Sequence, residues 1–487
     1  MKEVIPLGLT DPCSLSMPPD ILKNKYRISE YVLYAMIMCQ PLLLTSCKDK
    51  NSGEEEEPQL YTVTVDPSVT YQQMIGFGGS LTWYSDRIMI GSYKDEICQH
   101  LFDDLGTDMI RFKNNYYPNG YPAVKTTTQM ENSGLKTLFD VTNQLATIAR
   151  QYNPDIQFLV SSWGPPSALK SNNNLREGTL KKDGGAFMYQ AFAEYWNDVL
   201  DHLTFNPDYI SIQNEPGWVT PDWETCEWRG TETTDFPGYV NAFDAVWNKI
   251  GTRTNPPEMI GPEAENIGFS TKLGGNTFTV YSDPIRNKPQ LAAYAYHTYN
   301  FSASTPITET KPDLNMIRDN YGNKPCIMTE YSNYSWLNTA WFIIQNINEA
   351  NASGYLYWLM AWDVGNDQSM IRLRIDGSYS LSPFYYMMKH FSKNIDRGYT
   401  RIKTTINNSS VRLSAFEHPA GNKITLVVIN PVKVASNLDF SVAGKTIKAV
   451  KAVQSIEGDF YKDLGSVAPA GHITLKPMSV TTVVLDI

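Results

Sequence analysis

The sequence predicts an α/β fold: a (β/α)8 TIM barrel with an attached all-β sandwich as a side domain. Three observations carry that expectation. From about residue 74 to 390, short and nearly continuous apolar runs alternate with segments whose apolar residues recur at spacings of three and four. Eight such apolar runs occur. After about residue 395 the helical period stops, and a period-two alternation broken by Gly, Pro and Asn takes its place.

In chain order, the N-terminal stretch reads as targeting rather than fold. Lys23, Lys25 and Arg27 precede "YVLYAMIMCQPLLLTSC", an apolar run shorter than the ~20 residues that span a bilayer. Its end, "LLTSC", resembles the lipobox of bacterial lipoproteins, which implies cleavage and lipidation at Cys47; the alternative is an ordinary signal peptide cut elsewhere. "KDKNSGEEEEP" (48–58) has nothing to bury and reads as a disordered acidic tether. The expected organisation is a leader over 1–47, the tether over 48–58, an N-terminal strand of the sandwich over 59–73, the barrel over 74–392 and the rest of the sandwich over 393–487.

The barrel strands are expected in "MIGFGGS" (74–80), "DMIRFKNN" (108–115), "IQFLVSS" (156–162), "YISIQNE" (209–215), "EMIGPEA" (258–264), "AAYAYHTY" (292–299), "PCIMTEY" (325–331) and "YLYWLM" (355–360). Between them, "GLKTLFDVTNQLATIARQY" and "FMYQAFAEYWNDVLDHL" are amphipathic helices by period. Apolar strands separated by helices imply parallel pairing with both faces covered. "LYTVTVDPS" (60–68) alternates like the C-terminal strands, so the side domain is expected to form from both chain ends.

Composition narrows function. The chain has 487 residues, 42% of them hydrophobic, enough for two cores. Its formal net charge of −10 and its lack of any basic run argue against nucleic acid as partner. No zinc-type Cys/His spacing occurs, and no metal or cofactor is expected. Outside Cys13 and Cys39 of the leader and Cys47, only Cys98, Cys226 and Cys326 remain, widely spaced; they read as packing residues rather than a disulfide framework. The aromatic content, 12%, suits stacking surfaces for flat ligands as well as core packing. A monomer is expected.

Reactive groups of such barrels sit at the C-terminal ends of the strands. "YISIQNEP" ends in Glu215 and "PCIMTEYSN" in Glu330, so both carboxylates are expected in one mouth. Two carboxylates there suit glycosidic cleavage, one protonating the leaving oxygen while the other attacks or activates water. The bland alternative is that Asn214 to Pro216 only turns the chain. Asn214 offers an amide for a sugar hydroxyl. Trp163, Trp358 and Trp83 follow strand ends and suit stacking on sugar rings. Trp218, Trp223 and Trp228 serve that purpose or clamp loops.

"IGFGGSLTWY", "SSWGPPSALK", "SIQNEPGW", "IMTEYSN", "HFSKNIDRGYTRI" and "SVTTVVLDI", in this order from about residue 60 to the end, resemble the retaining enzymes of glycoside hydrolase family 30. The resemblance implies that Glu215 is the acid/base and Glu330 the nucleophile. It also implies that Arg111 and Tyr299 contact the nucleophile and keep it ionised, although Arg111 also suits a structural ion pair. His297, two residues before Tyr299, falls on the same strand face or is a satisfied core histidine.

The stretches after Trp163 and around "HFSKNIDRGYTRI" look closest to the xylanase branch. The basic pair that glucuronoxylan-specific members carry after the eighth strand is replaced by Ala361 and Trp362, with Asp363 and Asp367 nearby. The expectation is therefore a retaining β-1,4-xylanase-like enzyme that does not depend on glucuronic acid branches. A β-1,6-glucanase or a glucosylceramidase-type β-glucosidase is the alternative within the family. A glycan-binding surface lipoprotein without catalysis is the alternative of another class. Its location is expected at a bacterial cell envelope, lipid-anchored at the outer membrane surface or in the periplasm, or secreted.

Overall fold

A computed structural model describes residues 58–118, 132–469 and 472–487. The leader, Cys47 and all of the tether but Pro58 lie outside the described residues. Eight parallel strands close into a barrel: Gly76–Leu81, Met109–Lys113, Gln157–Ser161, Tyr209–Ser211, Glu258–Ala264, Leu291–His297, Cys326–Glu330 and Ala352–Tyr357. The last pairs with the first, Gly354 against Gly76 through Tyr357 against Gly79. Gly78 permits the tight first pairing, because a Cβ there would lie 1.8 Å from the Met109 carbonyl oxygen.

Period-two alternation sorts the strand side chains. Met109, Leu159, Tyr209, Ile260, Ala293, Ala295, Ile327 and Leu356 pack together inside the barrel. Ile110, Phe112, Phe158, Val160 and Ile210 face outward into the helical layer. The same parity points Arg111 inward, one step above Met109. The helices behave as their sequences ask; Leu138–Tyr152, for example, starts on a capping box in which Thr137 and Asp140 bond each other's backbone N–H.

Three departures from regular alternation lie at the mouth. The ladder of the fourth strand stops at Ser211, short of the expected 215. Beyond it the chain stays tethered to both neighbours: Asn214 N–H donates to the Ser162 carbonyl (2.6 Å) and Glu215 N–H to the Glu263 carbonyl (3.0 Å). Between strands five and six the pairing jumps from Ala295–Pro262 to Tyr296–Ala264, which makes Glu263 an extra residue. Between strands six and seven it jumps from Tyr296–Met328 to His297–Glu330, with Thr329 extra. Bulges re-aim side chains.

The C-terminal strands form a nine-stranded sheet in which Gln59–Gln73 lies between Thr400–Ile406, antiparallel, and Ser436–Val442, parallel. One face closes over its own apolar core, which includes Val63, Leu413, Leu426, Leu438, Val450 and Val483. From the other face, Phe416, Val427, Ile429 and Val480 join the barrel's helical core. A small three-stranded sheet that sequence reading missed (Ala361–Asp363, Ile371–Leu373, Tyr379–Leu381) follows the eighth barrel strand. Cys98, Cys226 and Cys326 are buried free thiols.

Candidate active site

The mouth of the barrel opens into a cleft of about 1760 Å³ whose lining includes Glu215, Glu330, Asn214, Tyr299, Trp83, Trp163 and Trp358. Arg111 and His297 lie buried beneath them. The elements bring every strand-end residue of the expected set together.

Arg111 organises the floor. Its guanidinium donates to Glu263 Oε1 (2.8 Å), Glu330 Oε2 (2.7 Å) and Asn214 Oδ1 (2.5 Å), and its Nε reaches Ser161 Oγ (3.2 Å). The ring of Trp163 lies under the same cation, 4.7 Å from its centroid. With Asn214 Oδ1 turned to Arg111, the Asn214 amide nitrogen has no bond among the described residues and lines the cleft. Tyr299 donates its hydroxyl to Glu330 Oε1 (3.1 Å).

Glu215 is held differently. His297 Nδ1 stands 3.0 Å from Glu215 Oε1, and His297 Nε2 lies 3.9 Å from Glu330 Oε2. One ligand-capable atom from each of Glu215, His297 and Glu330 falls within 4.8 Å of the others. Burial pushes the His297 imidazole down to about 4, so it is neutral. A neutral ring donates to ionised Glu215 or accepts from protonated Glu215, according to tautomer.

Three carboxyls therefore crowd around one cation. If Glu215, Glu263 and Glu330 were all ionised, Arg111 would offset only one charge, so the cluster favours retaining protons. Burial drives Glu215 up to about 7; Arg111 opposes and the Glu263 charge adds to the rise. Burial also raises Glu330, against the pull of the Arg111 guanidinium. The expectation that Arg111 and Tyr299 keep Glu330 ionised is therefore opposed by its burial. Between the two, Glu330 keeps the direct guanidinium and phenol bonds, whereas Glu215 has only a neutral imidazole. Glu215 is therefore the better placed of the two to retain a proton. Burial raises Glu263 too, but the Arg111 guanidinium outweighs it and holds the carboxyl below its ordinary value.

Glu215 and Glu263 both take left-handed backbone (φ 49° and 52°). Non-glycine residues hold such angles at a cost of order 1–3 kcal/mol, and they concentrate where function fixes the chain.

Four indoles form one wall. Trp83 meets Trp163, Trp358 and Trp362 edge-on at centroid separations of 5.7, 5.9 and 5.6 Å. Trp163 is only 2% exposed, so it serves as floor more than as open platform. Trp218 and Trp223 are exposed on the rim. Trp228 is fully buried, with its Nε1 donating to Gln213 Oε1 (3.1 Å), and stands apart from any ligand surface.

Sequence reading passed over Glu263, Glu265 and the buried pair Lys113–Glu224 (2.8 Å). Glu263 carries the signal that singled out Glu215 and Glu330, a carboxylate ending an apolar run. Near Trp362, the Asp363 charge is taken up by Arg87 (2.5 Å). Arg374 lines the cleft edge, whereas Arg372 is turned to the Asp367 carbonyl.

No family model matches the chain. Over 301 residues it is 27% identical to glucuronoxylanase XynC of Bacillus subtilis (strain 168), a match that covers 58% of this chain and 61% of that protein. The chain thus spans about three fifths of that relative's length. This likeness supports the resemblance to glycoside hydrolase family 30. Another likeness is to endo-1,6-beta-D-glucanase neg1 of Aspergillus fumigatus, 21% identical over 393 residues, 72% of this chain and 75% of the relative. The fold matches the crystal structure of a family 30 subfamily 8 xylanase, Xyn30A, from Clostridium acetobutylicum. That likeness has a TM-score of 0.65 at 24% identity and covers 88% of this chain and all of the other.

Proposed function

We propose that this chain hydrolyses β-linked glycans with retention of anomeric configuration, with Glu330 as nucleophile and Glu215 as acid/base. The observation that carries the reading is the pair itself: carboxylate oxygens within 4.8 Å in an open cleft, one ion-paired to Arg111 and one pushed up by burial to about 7. Retaining enzymes keep their carboxyl groups about 5–5.5 Å apart, whereas inverting ones leave room for a water between them.

In the first step Glu330 attacks the anomeric carbon while Glu215 gives its proton to the departing glycosidic oxygen. In the second, Glu215 takes a proton from water as the water oxygen displaces Glu330. Arg111 and Tyr299 hold Glu330 in line, and the unengaged Asn214 amide suits the sugar 2-hydroxyl, whose hydrogen bond strengthens at the transition state. A glycan binder without catalysis leaves the crowded carboxyls and their strained backbone unexplained.

The substrate we favour is β-1,4-xylan, cut without need of glucuronic acid branches. Asp363 is spent on Arg87, Ala361 carries no donor, and Arg374 is held along the rim near Ser380 (3.5 Å). The second reading is a β-1,6-glucan, favoured by the longer reach of the endo-1,6-glucanase match, 75% of that relative against 61% for the glucuronoxylanase. The cleft exceeds the roughly 300–1,000 Å³ of small-molecule pockets, which favours several sugar subsites. Rates and product sizes on glucuronoxylan, arabinoxylan, linear xylo-oligosaccharides and β-1,6-glucan test the reading. Equal rates on branched and linear xylans support it, and exclusive cleavage of β-1,6-glucan replaces it with the second. We further propose a lipid on Cys47 that tethers the enzyme to the bacterial envelope. Mass spectrometry of the native N-terminus checks this.

A further inference from the structure

We infer that the Glu265 carboxyl, packed against Gly217 beside Glu215, forms a polar notch in the cleft wall that binds a hydroxyl of the leaving-group sugar, making Glu265 a specificity-determining residue. The inference rests on the hydrolase reading and assigns one subsite of it.

Glu265 follows the end of the fifth barrel strand and lines the cleft with Glu215 and Trp218. Its Oε2 is shut off from solvent yet takes no hydrogen bond. Buried polar atoms are nearly always partnered, so an orphan oxygen at the wall of a sugar cleft marks a place where ligand completes the set. Gly217 lets the carboxyl pack closely against this turn: a Cβ there would come within 2.8 Å of Glu265 Oε1 and 3.0 Å of the Tyr281 hydroxyl.

Among the described residues no cation is free to neutralise the carboxyl. Lys272 is the nearest, and its ammonium already engages Glu227 (2.8 Å) and the Gly217 carbonyl (3.1 Å). The other groups facing Glu265 are Glu215, the Tyr281 phenol, the Gly217 N–H and, at its backbone carbonyl, the Tyr299 N–H (3.2 Å). Burial and then the Glu215 charge push the carboxyl up to about 7, with Lys272 and the backbone N–H groups pulling back. Near neutrality it both donates and accepts, as a sugar hydroxyl does.

The side of the cleft follows from the turn. Gly217 lies between Glu215 and Trp218, whose N–H closes back on the Glu215 carbonyl (3.0 Å). The acid/base stands beside the departing oxygen, so a notch on its own turn meets the departing sugar.

The test compares an unbranched oligosaccharide with an aryl glycoside of the same glycone, which lacks the departing sugar. In Glu265→Ala the ratio of kcat/KM for oligosaccharide over aryl glycoside falls about tenfold, the loss expected for one strong hydrogen bond. In Glu265→Gln, which keeps the shape, removal of a neighbouring negative charge lets Glu215 ionise more easily, so the alkaline limb on the oligosaccharide, which needs the Glu215 proton, moves to lower pH. A merely structural residue moves neither. An active wild type with unchanged ratio and limb in the Gln variant overturns this inference alone, even if the Ala variant fails to fold. A wild type inactive on every β-glycoside overturns the hydrolase reading and this one with it.

Discussion

His297 and His390 are both fully buried and both neutral, pushed by burial to about 4 and about 3, yet they sit in opposite kinds of surroundings. His390 bolts the helix Pro383–Ser392 to the side sheet: Nδ1 meets Thr482 Oγ1 and Nε2 meets Ser455 Oγ, each at 2.8 Å. Both ring nitrogens are satisfied by hydroxyls that carry no charge. His297 meets one carboxyl through Nδ1 and leaves Nε2 without a bond, as Glu263 and Glu265 each leave an oxygen. A buried polar group with all its partners is structure; several half-partnered ones around a cleft await a substrate.

That contrast orders the predictions. The largest effect is expected at Glu330. Glu330→Gln removes the nucleophile, and turnover of every substrate should drop by at least about 10⁴-fold, measured by initial rates. Glu215→Gln should lower the rate on oligosaccharides by roughly 10²–10⁴-fold. Aryl glycosides with good leaving groups, which need little protonation, should keep a normal first step seen as a burst of released phenol.

The two histidines should then separate cleanly. His297→Ala should lower kcat/KM about tenfold through the lost bond to Glu215, with a small change in melting midpoint. His390→Ala strands two buried hydroxyls and should lose about 3 kcal/mol of stability by denaturant titration, with kcat/KM within about twofold of wild type. Reversed outcomes would break the comparison.

The finest distinction is in pH. Glu215 has its value raised from 4.5 to about 7 and must carry a proton to act as acid. Activity is therefore present below that value and lost as pH rises through about 7, seen in kcat/KM against pH. The His390 variant should keep that limb where it is.

Much of this architecture was legible because its signals are local. Continuous apolar runs such as "IQFLVSS" can only be strands covered on both faces, and eight of them close a barrel. Glu215 and Glu330 stood out as charges ending such runs. Glu263 and Glu265 sit in "GPEAEN", the same kind of place. What sets Glu263 in the site is a bulge created when Tyr296 pairs with Ala264, and such pairing is tertiary. Strict alternation would have turned both Glu263 and Glu330 away from the barrel interior. Trp228 shares its segment with Trp218 and Trp223, and only packing against Phe192 tells them apart. The strands at 361–381 are three residues long, too short for a period to emerge. Nothing in the letters His297 and His390 distinguishes a bolt from a poised group.

The central claim is that Glu330 attacks and Glu215 assists within one compact pair, and the stereochemistry of the first product tests it most directly. Proton NMR recorded within the first turnovers, before mutarotation, should show a β-glycan releasing the β-anomer at the new reducing end. An α-anomer at that point would mean single displacement by water, and the assignment of Glu330 as nucleophile would be wrong.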